Sequence, residues 1–142
     1  MKPSIKFILL IIFCSLFFSS NAFAQKYDLV GTWERTGVDD NFAGSRIKVV
    51  KLDGNLYRGK LVAITTAMTE YCFSIGEIKW LNIYKTANGM YDMDDLSKSS
   101  SDCSSWYASK YIEFADENTI NITSMSTDPN TAGNYQVWIR VE

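Results

Sequence analysis

Two dipeptides, Asp53-Gly54 and Asn88-Gly89, constrain this chain more than any other feature. Each interrupts runs of β-branched and aromatic residues, and glycine there accepts the positive φ of a tight hairpin at little steric cost. Residues 45–52 and 55–64 flank the first dipeptide, and residues 78–86 and 90–97 flank the second. The same pattern continues outside them. Residues 29–36 form a run that ends at the polar stretch 37–44, and residues 106–115 turn through Asp116-Glu117-Asn118 into 119–125. A last run, 134–141, follows Thr127-Asp128-Pro129-Asn130, where proline cannot donate to a central ladder. No segment holds a helical period. About eight short antiparallel strands suit an all-β fold, either a two-sheet sandwich or an up-and-down barrel. The barrel is the expected form, because closure leaves no exposed edge.

The N-terminus reads as an export signal. Lys2 and Lys6 precede an apolar run over residues 7–18, then polar residues 19–21 and the small-residue pattern Ala22-Phe23-Ala24. These are the n-region, h-region and cleavage site of a secretory signal peptide over residues 1–24, cut after Ala24. The run is shorter than the roughly 20 residues a membrane span needs, so no transmembrane anchor is expected after processing. Phe13 before Cys14 stands where a lipoprotein signal has a small residue. The expected location is the periplasm or the exterior, with residues 25–142 as one domain.

Lys2 and Lys6 are two of 14 basic residues, and all 16 acidic residues lie beyond the signal, leaving 12 − 16 = −4 for the processed chain. That balance disfavours nucleic acid, which requires a concentrated basic surface. Of three cysteines, Cys72 and Cys103 remain after processing. An even count in an exported domain argues for a disulfide, worth about 3–4 kcal/mol in the loop-entropy model. Their spacing is unlike paired C-x-x-C metal ligands, so no metal is expected. The two cysteines sit in the two stretches that resist a strand reading, 65–77 and 98–105, so the bridge would tie two loops together at one rim.

Catalytic chemistry finds little material. The chain has no histidine, which removes the commonest neutral-pH base and metal ligand. Glu34, Glu70, Glu77 and Glu113 form no recognisable glycosidase pair. Asp92, Asp94 and Asp95, with Asp102 nearby, are the densest acidic cluster and lack a calcium-loop pattern; they read as a solvated face. No catalytic residue and no cofactor are expected.

Binding features are more numerous. With a three-residue loop at Gly54, the first hairpin places Ile47, Val49, Tyr57, Gly59, Leu61 and Ala63 on a core face. Its other face then collects Arg46, Lys48, Arg58 and Lys60, and a two-residue turn would scatter those charges instead. Like charges opposite one another are mildly destabilising, so the basic face is a candidate surface for an acidic partner, with simple solvation as the alternative. Strict alternation puts Trp80, Asn82 and Tyr84 on one face of their strand, which with Tyr57 would line either a pocket or a filled interior.

Gly31-Thr32-Trp33 in the first strand and Val137-Trp138-Ile139-Arg140 in the last resemble the G-x-W and terminal-arginine pair of lipocalin-like (calycin-like) barrels. The resemblance implies that Arg140 packs on Trp33 and closes one barrel end, a contact worth roughly 0.5–2 kcal/mol. With Asp53-Gly54-Asn55-Leu56-Tyr57-Arg58-Gly59-Lys60, the same positions are also similar to small secreted bacterial barrels of uncharacterised function. The chain departs from large lipocalins in lacking a C-terminal helical segment, and its Thr127-Asp128 is followed by Pro129. The functional expectation is a non-enzymatic binding module holding a small apolar or amphipathic ligand near the open barrel end. Its rival is an envelope protein-interaction or inhibitor role through the rim loops and the basic face.

Overall fold

The computed structural model describes residues 27–125 and 135–142. The signal-peptide segment 1–24, the Thr127-Asp128-Pro129-Asn130 turn and the first residue of the last expected run lie outside the described residues. Eight strands follow one another: β1 (Gly31–Thr36), β2 (Arg46–Lys51), β3 (Leu56–Ala63), β4 (Ile78–Ala87), β5 (Met90–Lys98), β6 (Ser105–Asp116), β7 (Thr119–Ser124) and β8 (Gln136–Arg140). Each pairs antiparallel with its neighbours in sequence, and β8 pairs with β1 to close the barrel. Every expected run matches one strand, although β4, β5 and β6 extend one residue beyond their expected bounds, at Ala87, at Lys98, and at both Ser105 and Asp116.

Both hairpins form where glycine permits them. Gly54 and Gly89 take φ of 64° and 76°. At the first, Leu52 N donates to Leu56 O at 2.8 Å and Lys51 lies opposite Tyr57, which is the three-residue loop. One helix, α1 (Thr66–Glu70), lies in the β3–β4 connection, where no helix was expected. The Thr65 hydroxyl caps it by accepting from Met68 N at 3.3 Å; five residues are too few to show a helical period in sequence.

Up-and-down topology sorts the connections by length. The tight turns β2–β3, β4–β5 and β6–β7 gather at one end with the start of β1. The long connections β1–β2, β3–β4 and β5–β6 gather at the other, where β7 also ends and β8 begins. At the short-turn end the Arg140 guanidinium lies 4.4 Å from the Trp33 ring centroid. Its Nη1 donates to Val30 O at 2.6 Å and its Nη2 to Asp28 O at 2.5 Å. Trp33 Nε1 donates to Leu29 O at 2.9 Å. Gly31 has φ +143°, and a Cβ there would stand 2.6 Å from Arg140 Nη1 and 2.7 Å from Glu142 O. Only glycine leaves room for this closure.

Above that floor the interior is packed with rings. Trp33 meets Phe114 edge-on at 5.6 Å, Tyr57 meets Tyr91 at 5.5 Å, and Trp80 meets Trp138 at 4.9 Å. Such pairs add about 0.5–1.5 kcal/mol each beyond their buried area. A Cβ on Gly59 would approach Ile47 Cγ2 to 2.8 Å and Trp80 Cβ to 3.0 Å, so this glycine makes the space that Trp80 fills.

At the wide end Cys72 and Cys103 are bridged, with Cα atoms 5.6 Å apart, joining the β3–β4 and β5–β6 connections. A disulfide points to a compartment outside the reducing cytoplasm. Replacing both cysteines with serine is expected to lower the unfolding free energy by about 3–4 kcal/mol. Urea unfolding of the variant, beside the oxidised and reduced wild type, measures this; unchanged midpoints would show that the bridge contributes nothing.

Candidate functional site

The ring-filled interior stops short of the wide end, and its last layer is ionic. Lys79, Asp95 and Lys110 are all buried, with 4%, 1% and 4% of their surface exposed. Lys110 stands on β6 in phase with Ile112 and Phe114, and Asp95 on β5 in phase with Tyr91 and Met93, so ordinary alternation carries both inward. Lys79 arrives differently. The β3–β4 register jumps from Gly59↔Trp80 to Lys60↔Ile78, which makes Lys79 the extra residue of a bulge and turns it inward beside Trp80.

Asp95 is the hub of this layer. One carboxylate oxygen, Oδ1, accepts from Lys79 Nζ, which also donates to Leu96 O at 2.5 Å. The other, Oδ2, lies 3.3 Å from Lys110 Nζ and accepts from Gln136 Nε2 at 3.5 Å. Gln136 Oε1 in turn accepts from Trp138 Nε1 at 3.0 Å, linking the ionic layer to the aromatic one. Burial pulls the Lys79 ammonium below the usual lysine range, and Asp95 opposes that pull.

Over this layer lies a half-open chamber of about 220 Å³. Its floor is Lys79, Asp95, Lys110 and Gln136, and its wall is Phe42, Tyr71 and Phe73 from the long connections. Phe42 meets Tyr71 edge-on at 5.4 Å and Phe73 at 6.2 Å. Arg35 is 5.3 Å from the Phe42 ring centroid and pairs with Asp40 at 2.5 Å. Lys98 pairs with Glu77, donates to Cys72 O at 2.9 Å and lies 5.2 Å from the Phe73 centroid. The disulfide and Lys98 thus hold the wall from the same side.

The four residues expected to line a pocket are not brought together. Tyr57 is buried toward the short-turn end, and Trp80 lies in the core with its Nε1 buried and without a hydrogen-bond partner among the described residues. Asn82 and Tyr84 face outward, correcting the expected inward face; Tyr84 is 49% exposed, and Asn82 Nδ2 donates to Asp94 Oδ2 at 2.9 Å. The cause is local. Asn82 has φ 50°, the β4–β5 register shifts between Leu81 and Tyr84, and Ile83 takes the inward position instead. The acidic cluster is corrected as well: Asp92 faces outward, whereas Asp95 is buried within the barrel rather than on a solvated face.

The basic hairpin face forms on the outside of the barrel. Lys48 lies opposite Lys60, and Val50 lies opposite Arg58. These residues, with Leu52, Val62 and Ile78, border a groove of about 230 Å³. Arg46 is neutralised by Glu34 at 2.7 Å, whereas Lys48, Arg58 and Lys60 form no ion pair among the described residues.

No family model, curated protein or solved structure matches the chain.

Asp95 is expected to be indispensable to the ionic layer. Asp95→Asn leaves two buried ammoniums without a counter-charge and should cost about 3–5 kcal/mol. Equilibrium urea unfolding checks it, and a loss under about 1 kcal/mol would mean that the layer is solvated rather than dry.

Proposed function

We propose that this barrel is a non-enzymatic binding module of the bacterial envelope, exported by the segment 1–24, cleaved after Ala24, and related to lipocalin-like barrels. It holds a small amphipathic ligand at its wide end. The observation that carries this reading is the chamber over the ionic layer, which combines aromatic walls with a few convergent polar groups. Ligand sites commonly have that composition, although most are larger, at about 300–1,000 Å³. Space of about 220 Å³ is that of about seven waters at roughly 30 Å³ each, and it suits a compact molecule of about ten non-hydrogen atoms because covalent bonds draw atoms closer together than waters. The packed aromatic interior below supports binding at the mouth rather than deep in the barrel. No cofactor enters this reading.

Native mass spectrometry of the protein purified from its own envelope fraction tests it, with the denatured mass as reference. The expected result is extra native mass from a small molecule released on denaturation. Bare native protein that also fails to take up small amphiphiles would overturn it.

The unpaired Lys48, Arg58 and Lys60 around exposed Val50 and Val62 favour a second reading, in which the outer hairpin face docks an acidic envelope protein. Exchanging Arg58 and Lys60 for glutamate should then abolish capture of one specific envelope protein and leave the mouth chamber unaffected. Identical capture by wild type and variant would remove this reading.

A further inference from the structure

Resting on the small-ligand reading of the mouth chamber, we infer that the ligand is a small organic acid, its carboxylate set on Lys110 and Lys79 and its apolar body against Phe73 and Phe42. Charge balance carries the inference. Among the described residues, the chamber floor buries two ammoniums against one carboxylate, that of Asp95. Among the described residues, the carboxylates of Asp40 and Glu77 do not redress this, because Asp40 is engaged by Arg35 and Glu77 by Lys98.

Lys110 is the under-compensated member. Lys79 donates to both Asp95 and Leu96 O, whereas among the described residues Lys110 has one charged partner at 3.3 Å, an oxygen that Gln136 also approaches. An ammonium has three donors, and one held out of water with a shared acceptor is a costly arrangement unless something else meets it. Departures of this kind from ordinary core rules concentrate at functional sites. Lys110 also lines the chamber, so its remaining donors adjoin the space a ligand would occupy.

The walls select the rest of the molecule. Phe42 and Phe73 offer ring edges and faces, but Arg35, Lys79 and Lys98 already lie over those rings. A cationic ligand would meet the excess positive charge of Lys79 and Lys110, whereas Arg35 and Lys98 are balanced by Asp40 and Glu77. An acid with a short aryl or alkyl body meets complementary charge at the floor and apolar surface at the rim. The outer groove differs in kind: its Lys48, Arg58 and Lys60 are exposed, and water satisfies them without a ligand.

Titration calorimetry and thermal unfolding with three matched probes test this: phenylpropanoate, phenylpropanol and phenylpropylamine, each with about ten non-hydrogen atoms. The acid is expected to bind at least about tenfold more tightly than the alcohol and to raise the melting temperature, with no binding of the amine. Lys110→Met should lose that preference, keep alcohol binding and be no less stable than wild type without ligand, because it removes an uncompensated buried charge. Lys110→Gln, isolated as folded protein by circular dichroism, serves if the methionine variant does not fold.

Equal binding of acid and alcohol, or preference for the amine, would overturn the acid assignment and leave the chamber as a ligand site. Unchanged acid binding in both Lys110 variants would overturn the role of Lys110. No binding of any probe up to about 10 mM would overturn both the acid and the small-ligand reading.

Discussion

The contact between Arg140 and Trp33 is the point on which the rest of the barrel depends. Closure requires the last strand to find the first across almost the whole described chain, and backbone pairing between β1 and β8 covers only four residue pairs. Arg140 adds a planar donor fork that reaches two carbonyls of the segment preceding β1, while its guanidinium covers the indole. A lysine could place a charge there but not that fork. Closure in turn gives every strand two neighbours and makes one side of each an interior.

Much of this was legible in sequence because it depends on local rules. The glycines of Asp53-Gly54 and Asn88-Gly89 accept positive φ, and the hairpin from Ile47 to Leu61 follows strict alternation once its loop length is fixed. The mouth was less legible, for two reasons that can be named. Lys110 and Asp95 kept phase with core residues and could have been read as inward-facing, but their charge argued for the surface. Lys79, Asn82 and Tyr84 were beyond pattern reading, because register shifts at the start and in the middle of β4 alter which residues face inward. A period-two argument is only as good as the regularity of the strand it is applied to.

Those irregularities matter for the site. One shift brings Lys79 inward at the wide end, and the other sends Asn82 and Tyr84 outward. Between them, Trp80 remains in the core against Trp138. The hydrogen bond from Trp138 to Gln136, and from Gln136 to Asp95, then joins the apolar interior to the ionic layer. The chamber floor is therefore built on rigid strands, and only its wall comes from connections.

The sorting of tight turns to one end and long connections to the other separates two kinds of demand on the sequence. At the short-turn end, Gly31, Trp33 and Arg140 fit one another so closely that exchange of any one disturbs the closure. At the wide end, connections bridged by Cys72 and Cys103 can change length and composition while the strands beneath them keep their pairing. Such a molecule can reshape the wall of its wide-end chamber by rewriting its rim, while the charged floor of Lys79, Asp95 and Lys110 stays fixed to the strands.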